Sequence, residues 1–304
     1  MKITVIGAGA VGCFYGAMLA KAGFETVLVG RAAHVEAINR GGLRFESTTF
    51  DQHITIGAST GAQAARDADI VLLCVKSTDT VSAAHEMRPF LKPGAVVISL
   101  QNGIDNVPLL QEALHCEVIP AAVYVACEMA GAGHLKHHGR GELIIGKSPG
   151  SAGVARLFTE AGVPTTVSAD VMVPLWDKLV LNCAYNALSA IVHLPYSKIR
   201  AEVAADDTMR NLVAECLAVA RAERVGMDLN PDRQIERIRQ TIPAGQFSSM
   251  AQDLSRNRPT EIASLNGAIV RRGLSHGIAT PVNQAMVALV TLLEKYAGQA
   301  DSGR

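Results

Sequence analysis

Ile3-Thr4-Val5-Ile6-Gly7-Ala8-Gly9-Ala10-Val11-Gly12 is the stretch that decides the fold. Residues 3 to 6 form a short β-rich run ending at Gly7, and from Val11 to Ala22 apolar residues continue at helical density until Gly23 closes the segment. The order is strand, turn, helix. In such a unit the first glycine allows the tight turn, the second lets backbone approach a pyrophosphate, and the third lets helix and strand pack closely, with the anion on the helix N-terminus. Gly7, Gly9, Ala10, Val11 and Gly12 are therefore candidate cofactor-binding residues. The plainer alternative is a close-packed helix that binds nothing; Gly16 extends its small-residue face under either reading.

Outward from this turn, Glu25-Thr26-Val27-Leu28-Val29 reads as the next strand and ends in Gly30-Arg31. A protein preferring NAD would place a carboxylate near this strand end, to bond the ribose 2′-hydroxyl. Arginine stands there instead, and a guanidinium can grip a 2′-phosphate in two places at once. Arg31 thus predicts NADP(H) over NAD(H), against the bland reading that it caps a surface loop. Asp69 to Val75 reads as a fully buried parallel strand delivering Lys76 at its C-terminal end, and Ala95 to Leu100 as another delivering Gln101-Asn102-Gly103 to the same edge. Strand ends are where ligands sit in open α/β sheets. Lys76 can pair with a cofactor phosphate, and Asn102 can bond ribose or substrate, although Asn-Gly is by itself a common turn.

From Glu117 to Gly146 the residues alternate, which predicts short antiparallel strands extending the sheet. His134, His137 and His138 fall in this segment without a recognisable ligand set, so they read as solvated strand and loop histidines. Residues 151 to 168 supply one more helix and a short strand at Thr165 to Val167, where β character ends. Beyond Val171 nearly every segment has helix period: Asn230-Pro231 and Thr280-Pro281 read as helix starts and Gly273 as a helix stop. The expected fold class is α/β plus all-α, with a Rossmann-type doubly wound sheet in residues 1–169 and an α-helical substrate and catalytic domain in residues 170–304. The tail from Gly298 to Arg304 reads as disordered.

In the helix that opens the second half, Lys178, Asn182 and Asn186 recur every four residues and form one polar stripe, while Leu179, Val180 and Leu181 between them are apolar. Such a stripe must find partners or face a cleft, because burying an unpaired ammonium is costly. The cleft expected from sequence lies opposite the strand ends bearing Asn102. A purely structural stripe, with Lys178 paired to Asp177 or a loop acid, is the alternative.

Composition bounds the remaining possibilities. The 304 residues exceed the roughly 100–200 of one domain. Lys+Arg and Asp+Glu both number 28, which gives no bulk attraction for nucleic acid. The six cysteines show no CxxC pair and no zinc spacing, as expected of thiols in a reducing compartment. No cleavable leader is legible after Met1, nor any run of about 20 apolar residues. The expectation is a cytoplasmic protein with no membrane partner. The apolar helices suit a core or a dimer face equally, which leaves a homodimer open.

Taken together, Gly7-x-Gly9-x-x-Gly12, Arg31, Val75-Lys76, Gln101-Asn102-Gly103, Lys178-x-x-x-Asn182-x-x-x-Asn186, Ser248-Ser249-Met250-x-Gln252-Asp253 and Glu261-Ile262-x-x-Leu265-Asn266-Gly267 resemble the ketopantoate reductases over nearly the whole chain. The resemblance implies NADPH-dependent reduction of 2-dehydropantoate to (R)-pantoate, on the way to pantothenate and coenzyme A. It implies catalytic roles for Lys178, as proton donor, and for Glu261, which would hold the substrate's hydroxyl end. Asn182 and Asn186 would orient lysine and carbonyl, and Ser249 with Asn102 would position carboxylate and nicotinamide. On residues alone, Glu261 reads as an acid in the first turn of a helix and Ser249 with Gln252 as a capping box.

The chain departs from the family pattern at Tyr196, Asp79 and Ala187, where many relatives carry asparagine, glutamine and proline. The first departure concerns the expected substrate pocket and keeps open a reductase of another branched or aromatic 2-oxo acid. A non-catalytic NADPH-binding sensor is the reading from a different class. The intact Lys178, Asn182, Asn186 and Glu261 argue against it.

Overall fold

The computed structural model describes residues 1–241 and 245–296; the tail from Gly298 to Arg304 lies outside the described residues. Two compact units divide the chain, Met1–Val171 and Met172–Arg304.

The first unit is built on a ten-stranded mixed sheet. Its strands are β1 (Lys2–Ile6), β2 (Glu25–Val29), β3 (Leu43–Ser47), β4 (Asp51–Ile54), β5 (Gly57–Ser59), β6 (Ile70–Leu73), β7 (Val96–Ser99), β8 (Val118–Gly131), β9 (His134–Gly146) and β10 (Thr165–Ser168). They run in the order β4-β3-β9-β8-β7-β6-β1-β2-β5, with β10 paired to β9. Every pairing from β5 through β2, β1, β6 and β7 to β8 is parallel, which is the Rossmann-type half of the sheet. Helices α1 (Ala10–Lys21), α2 (Ala32–Gly41), α3 (Thr80–Met87), α4 (Asn106–Leu114) and α5 (Ser151–Glu160) accompany it.

A parallel sheet covered on both faces needs strands apolar on both faces. Alternate residues accordingly enter two separate cores. Ile3, Val5, Leu72 and Ile98 pack with Phe14 and Tyr15 of α1 and with Leu157 and Phe158 of α5. Ile6, Val71, Leu73 and Val97 pack with Ala84 and Met87 of α3 and Leu110 of α4. Each such aliphatic side chain contributes about 1.5–3 kcal/mol through burial, so both faces hold the central strands in register.

The segment 117–146 is one long hairpin, β8 with 14 residues and β9 with 13, rather than short strands. Register shifts between Tyr124 and Val125, Ala126 and Cys127, and Met129 and Gly131 let it stay paired while it bends. The strands β3, β4 and β5 between Leu43 and Ser59 were not anticipated.

The second unit contains α6 (Met172–Val192), α7 (Tyr196–Arg200), α8 (Val203–Ala222), α9 (Pro231–Thr241), α10 (Ser249–Ser255), α11 (Asn266–Ser275) and α12 (Pro281–Tyr296). Helix α6 is its axis, with Trp176, Val180, Cys183, Ala184, Tyr185 and Ala187 all fully buried. Both Asn-Pro and Thr-Pro starts occur where expected. At Pro231 the Asn230 side chain accepts from the Arg233 N–H at 3.0 Å. At Pro281 the cap comes from elsewhere, because the Glu215 carboxylate of α8 accepts from the Val282 and Asn283 N–H groups. Gly273 is not a stop: α11 continues to Ser275, and the chain turns away beyond its C-cap His276 at Gly277, whose φ is +68°. Gly273 is small for another reason, since a Cβ there would stand 2.8 Å from Thr280 Cγ2 and 2.9 Å from the Ile278 carbonyl oxygen. Among the described residues, no helix is long and apolar enough to cross a membrane.

Candidate functional site

The glycine turn is clamped before any ligand arrives. The N–H groups of Gly7 and Ala8 both donate to the Val29 carbonyl at the end of β2, at 2.9 and 2.8 Å. Gly7 has φ +111°, a conformation that favours glycine, and a Cβ on it would stand 2.7 Å from the Cys74–Val75 peptide. A Cβ on Gly12 would stand 2.0 Å from the Gly7 carbonyl oxygen, and one on Gly16 would stand 2.6 Å from Leu28 Cδ2. These three glycines are demanded by the protein's own packing. Gly9 is different: it is exposed, its φ of −83° suits any residue, and a Cβ there meets nothing within 4 Å. The first helical bond of α1 runs from Cys13 N–H to Gly9 carbonyl, so the Ala10, Val11 and Gly12 N–H groups precede it and face an anion's approach. The cradle fits a dinucleotide pyrophosphate, with open space kept where the ligand's backbone approach needs it.

Arg31, Lys76 and Asn102 reach the same edge of the sheet. Gly30 packs so closely on the turn that a Cβ would stand 2.5 Å from Ala8 Cβ, and the exposed Arg31 follows as the N-cap residue of α2. Lys76 leads into the turn after β6, and Asn102 follows β7. These last two loops are tied together by a buried polar network. The Ser99 hydroxyl donates to Gln101 Oε1 at 3.0 Å; Gln101 Nε2 donates to the Val75 carbonyl at 3.1 Å and to Thr80 Oγ1 at 2.7 Å. Thr80 Oγ1 lies 2.9 Å from Asn106 Oδ1 and 3.0 Å from the Ser77 carbonyl, and Asn106 Nδ2 donates to the Asn102 carbonyl at 2.7 Å and to Ser77 Oγ at 3.2 Å. Thr80 and Asn106 were not singled out from sequence. Neither residue belongs to a motif that spacing reveals.

In the helical unit, α6 carries the expected stripe, with Lys178 half-buried and Asn182 and Asn186 buried. Asn186 is held at two points, its carbonyl accepting from Ser248 Oγ at 3.1 Å and its Oδ1 accepting from the Tyr196 hydroxyl at 3.3 Å. The capping box expected at Ser249 and Gln252 is displaced by one residue. Ser248 is the N-cap of α10 and accepts from the Ala251 N–H at 2.9 Å, whereas Ser249 is exposed. Glu261 likewise lies ahead of its helix: its carbonyl accepts from Ser264 and Leu265 N–H in a turn, and α11 begins only at Asn266. Asn266 then ties α11 to α6 by donating to the Cys183 carbonyl at 3.1 Å.

The hairpin histidines are engaged outside this constellation. His134 Nε2 meets Glu46 at 2.7 Å, His137 Nε2 meets the Arg140 carbonyl at 2.6 Å, and His138 Nε2 meets Glu128 at 3.2 Å.

Comparison with known proteins brings both units to one family. Residues 3–150 match the model described as ketopantoate reductase PanE/ApbA, and residues 170–294 match that of its C-terminal part. A 2-dehydropantoate 2-reductase of Halobacterium salinarum is 32% identical over 305 residues, covering 97% of this chain and 99% of that protein. The crystal structure of a PanE/ApbA family ketopantoate reductase from Ralstonia eutropha JMP134 is 50% identical, with a TM-score of 0.94, over 98% of this chain and 100% of that one. The ternary structure of D-mandelate dehydrogenase with NADH and anilino(oxo)acetate is 25% identical, with a TM-score of 0.91, over 98% and 100%.

Proposed function

The chain belongs to the ketopantoate reductase family, a family of nicotinamide-dependent oxidoreductases, and from that membership we propose that it reduces 2-dehydropantoate to (R)-pantoate with NADPH, on the route to pantothenate and coenzyme A. The nicotinamide supplies the hydride that reaches the C2 carbonyl. The protein's task is then the oxygen. As C2 is reduced, charge develops on that oxygen, and the Lys178 ammonium both stabilises the alkoxide and gives it a proton, leaving a neutral amine that solvent reprotonates. Asn182 and Asn186, one and two turns further along α6, orient the lysine and the carbonyl. Glu261 holds the hydroxyl end of the substrate, and Ser249 and Asn102 position its carboxylate and the nicotinamide.

The nucleotide is assigned to Gly7, Gly9, Ala10, Val11 and Gly12 at the pyrophosphate, with Lys76 on a phosphate, Asn102 on ribose, and Arg31 on the 2′-phosphate that distinguishes NADPH. We place the enzyme in the cytoplasm, a setting that suits its six cysteines, all of them thiols.

The observation that carries this reading is the four-residue spacing of Lys178, Asn182 and Asn186 on a helix that otherwise buries Trp176, Leu179, Val180, Cys183 and Ala187. Loss of NADPH absorbance with 2-dehydropantoate, run beside NADH and a panel of 2-oxo acids, tests it. Turnover fastest with 2-dehydropantoate and NADPH supports the assignment, and tight NADPH binding without turnover on any acid contradicts it.

A second reading keeps the chemistry and changes the acid. Tyr196 bonds Asn186 where many relatives carry an asparagine, and the D-mandelate dehydrogenase of similar fold was solved with an aromatic oxo-acetate and with NADH. In the same panel, turnover only with an aromatic 2-oxo acid would move the assignment there.

A further inference from the structure

We infer that Thr80 is a positioning residue for the cofactor, the junction through which the loop after β6 and the loop after β7 are set in place together. The inference rests on the proposed contacts of Lys76 and Asn102 with the nucleotide.

A threonine hydroxyl has one proton and two lone pairs, and a carboxamide has two N–H donors and one acceptor oxygen. Gln101 spends both donors, on the Val75 carbonyl and on Thr80 Oγ1. Asn106 spends both of its own, on the Asn102 carbonyl and on Ser77 Oγ. That leaves Asn106 Oδ1 as an acceptor, 2.9 Å from Thr80 Oγ1. The hydroxyl accepts from Gln101 and gives its single proton to Asn106 Oδ1, because both Asn106 N–H groups are spent and two bare acceptors would otherwise meet at 2.9 Å. The directions therefore run without conflict from the Ser99 hydroxyl through Gln101, Thr80 and Asn106 to the backbone of Asn102.

Burial makes that order stiff. Thr80 is fully buried, and Ser99, Gln101 and Asn106 are 3%, 5% and 5% exposed. In such surroundings an unmade hydrogen bond is not replaced by water, so turning one amide over breaks several bonds at once. The network grips the loop after β6 at the Val75 carbonyl, in the peptide just before Lys76, and at the Ser77 hydroxyl, and it grips the loop after β7 at the carbonyl of Asn102. Thr80 contributes no side chain to the sheet edge itself, because it opens α3 underneath it. It acts through Gln101 and Asn106.

Thr80→Val keeps the shape and removes both the acceptor and the donor; Thr80→Ser keeps both. Phe158→Leu, on the core face of α5, serves as a substitution that loosens the same unit without touching the network. For each, NADPH affinity is read by fluorescence titration, kcat and KM by turnover, and stability by thermal unfolding. The expected result is an NADPH Kd and KM raised about tenfold in Thr80→Val with kcat changed far less, restored to within about twofold in Thr80→Ser, and unmoved in Phe158→Leu at comparable loss of Tm. NADPH binding unchanged in Thr80→Val, or weakened equally by Phe158→Leu, overturns the inference. Lys76→Ala and Asn102→Ala separate its failure from that of the underlying reading. If they weaken NADPH and Thr80→Val does not, only the role of Thr80 falls; if neither weakens NADPH, the assignment of both loops falls and takes Thr80 with it.

Discussion

The hydroxyl of Tyr196 donates to Oδ1 of Asn186 at 3.3 Å, and its ring meets that of Tyr185 edge-on with centroids 5.1 Å apart. Burial pushes the Tyr196 phenol far above its ordinary pKa, so it stays a donor across the working range of pH. The bond fixes which way the Asn186 amide points. Tyr196→Phe should raise KM for the oxo acid about fivefold, the worth of one hydrogen bond of about 1 kcal/mol, and leave NADPH affinity unchanged. Tyr196→Asn, which restores the residue common among relatives, should shift the ratio of kcat/KM values toward 2-dehydropantoate. Steady-state kinetics on both variants check this; an unaltered KM in Tyr196→Phe would remove the residue from substrate recognition.

Glycines nine and twelve have opposite reasons for being glycine. A methyl on Gly12 would stand 2.0 Å from the Gly7 carbonyl oxygen, so Gly12→Ala should destabilise the first unit by about 1–3 kcal/mol. A methyl on Gly9 meets only open space. Gly9→Ala should therefore unfold at the wild-type temperature yet bind NADPH about tenfold more weakly, because the methyl occupies the pyrophosphate's approach. Calorimetry and a binding titration on the two variants make the comparison.

Arg31 tests the cofactor assignment. Arg31→Ala should raise KM for NADPH about tenfold while that for NADH moves little, since only NADPH carries the group a guanidinium would grip. Equal changes for both nucleotides would reduce Arg31 to the residue that opens α2.

The alkaline limb of stability should be steep. Burial pushes the Cys13 thiol from its ordinary 9.0 up to about 12, and raises Cys74, Cys183 and Tyr15 strongly in the same direction. The unfolded chain releases these protons near their ordinary values and the folded chain keeps them. Above pH 9.0 the folded state thus binds more protons, and unfolding becomes easier as pH rises. This contribution is complete below that pH and lost toward about 12. Urea midpoints measured at rising pH should fall over that window, and a flat profile would contradict the burial of these groups.

Much of the fold was legible because its signals are local. Strand β2 spans the same Glu25–Val29 in sequence and structure, and α9 and α12 start at the prolines that marked them. Strands β3 to β5 were not read, since their burial comes from distant partners: Leu43 and Phe45 are covered in a core that the segment's short alternation does not announce. Gly273 read as a stop because its spacing after two arginines looks like one, whereas close packing on Thr280 is what requires it. The site divides the same way. The glycine turn and the stripe on α6 have periods and spacings; the Thr80 network has none, because it is assembled from residues brought together only by the sheet.

The central claim is that Lys178 delivers the proton to the reduced carbonyl oxygen. The direct measurement is kcat with NADPH and 2-dehydropantoate, beside the NADPH dissociation constant, in Lys178→Ala and the unaltered protein. In Lys178→Ala kcat should fall by a factor of about 10²–10⁴ with NADPH binding unchanged. Turnover retained in Lys178→Ala would contradict it.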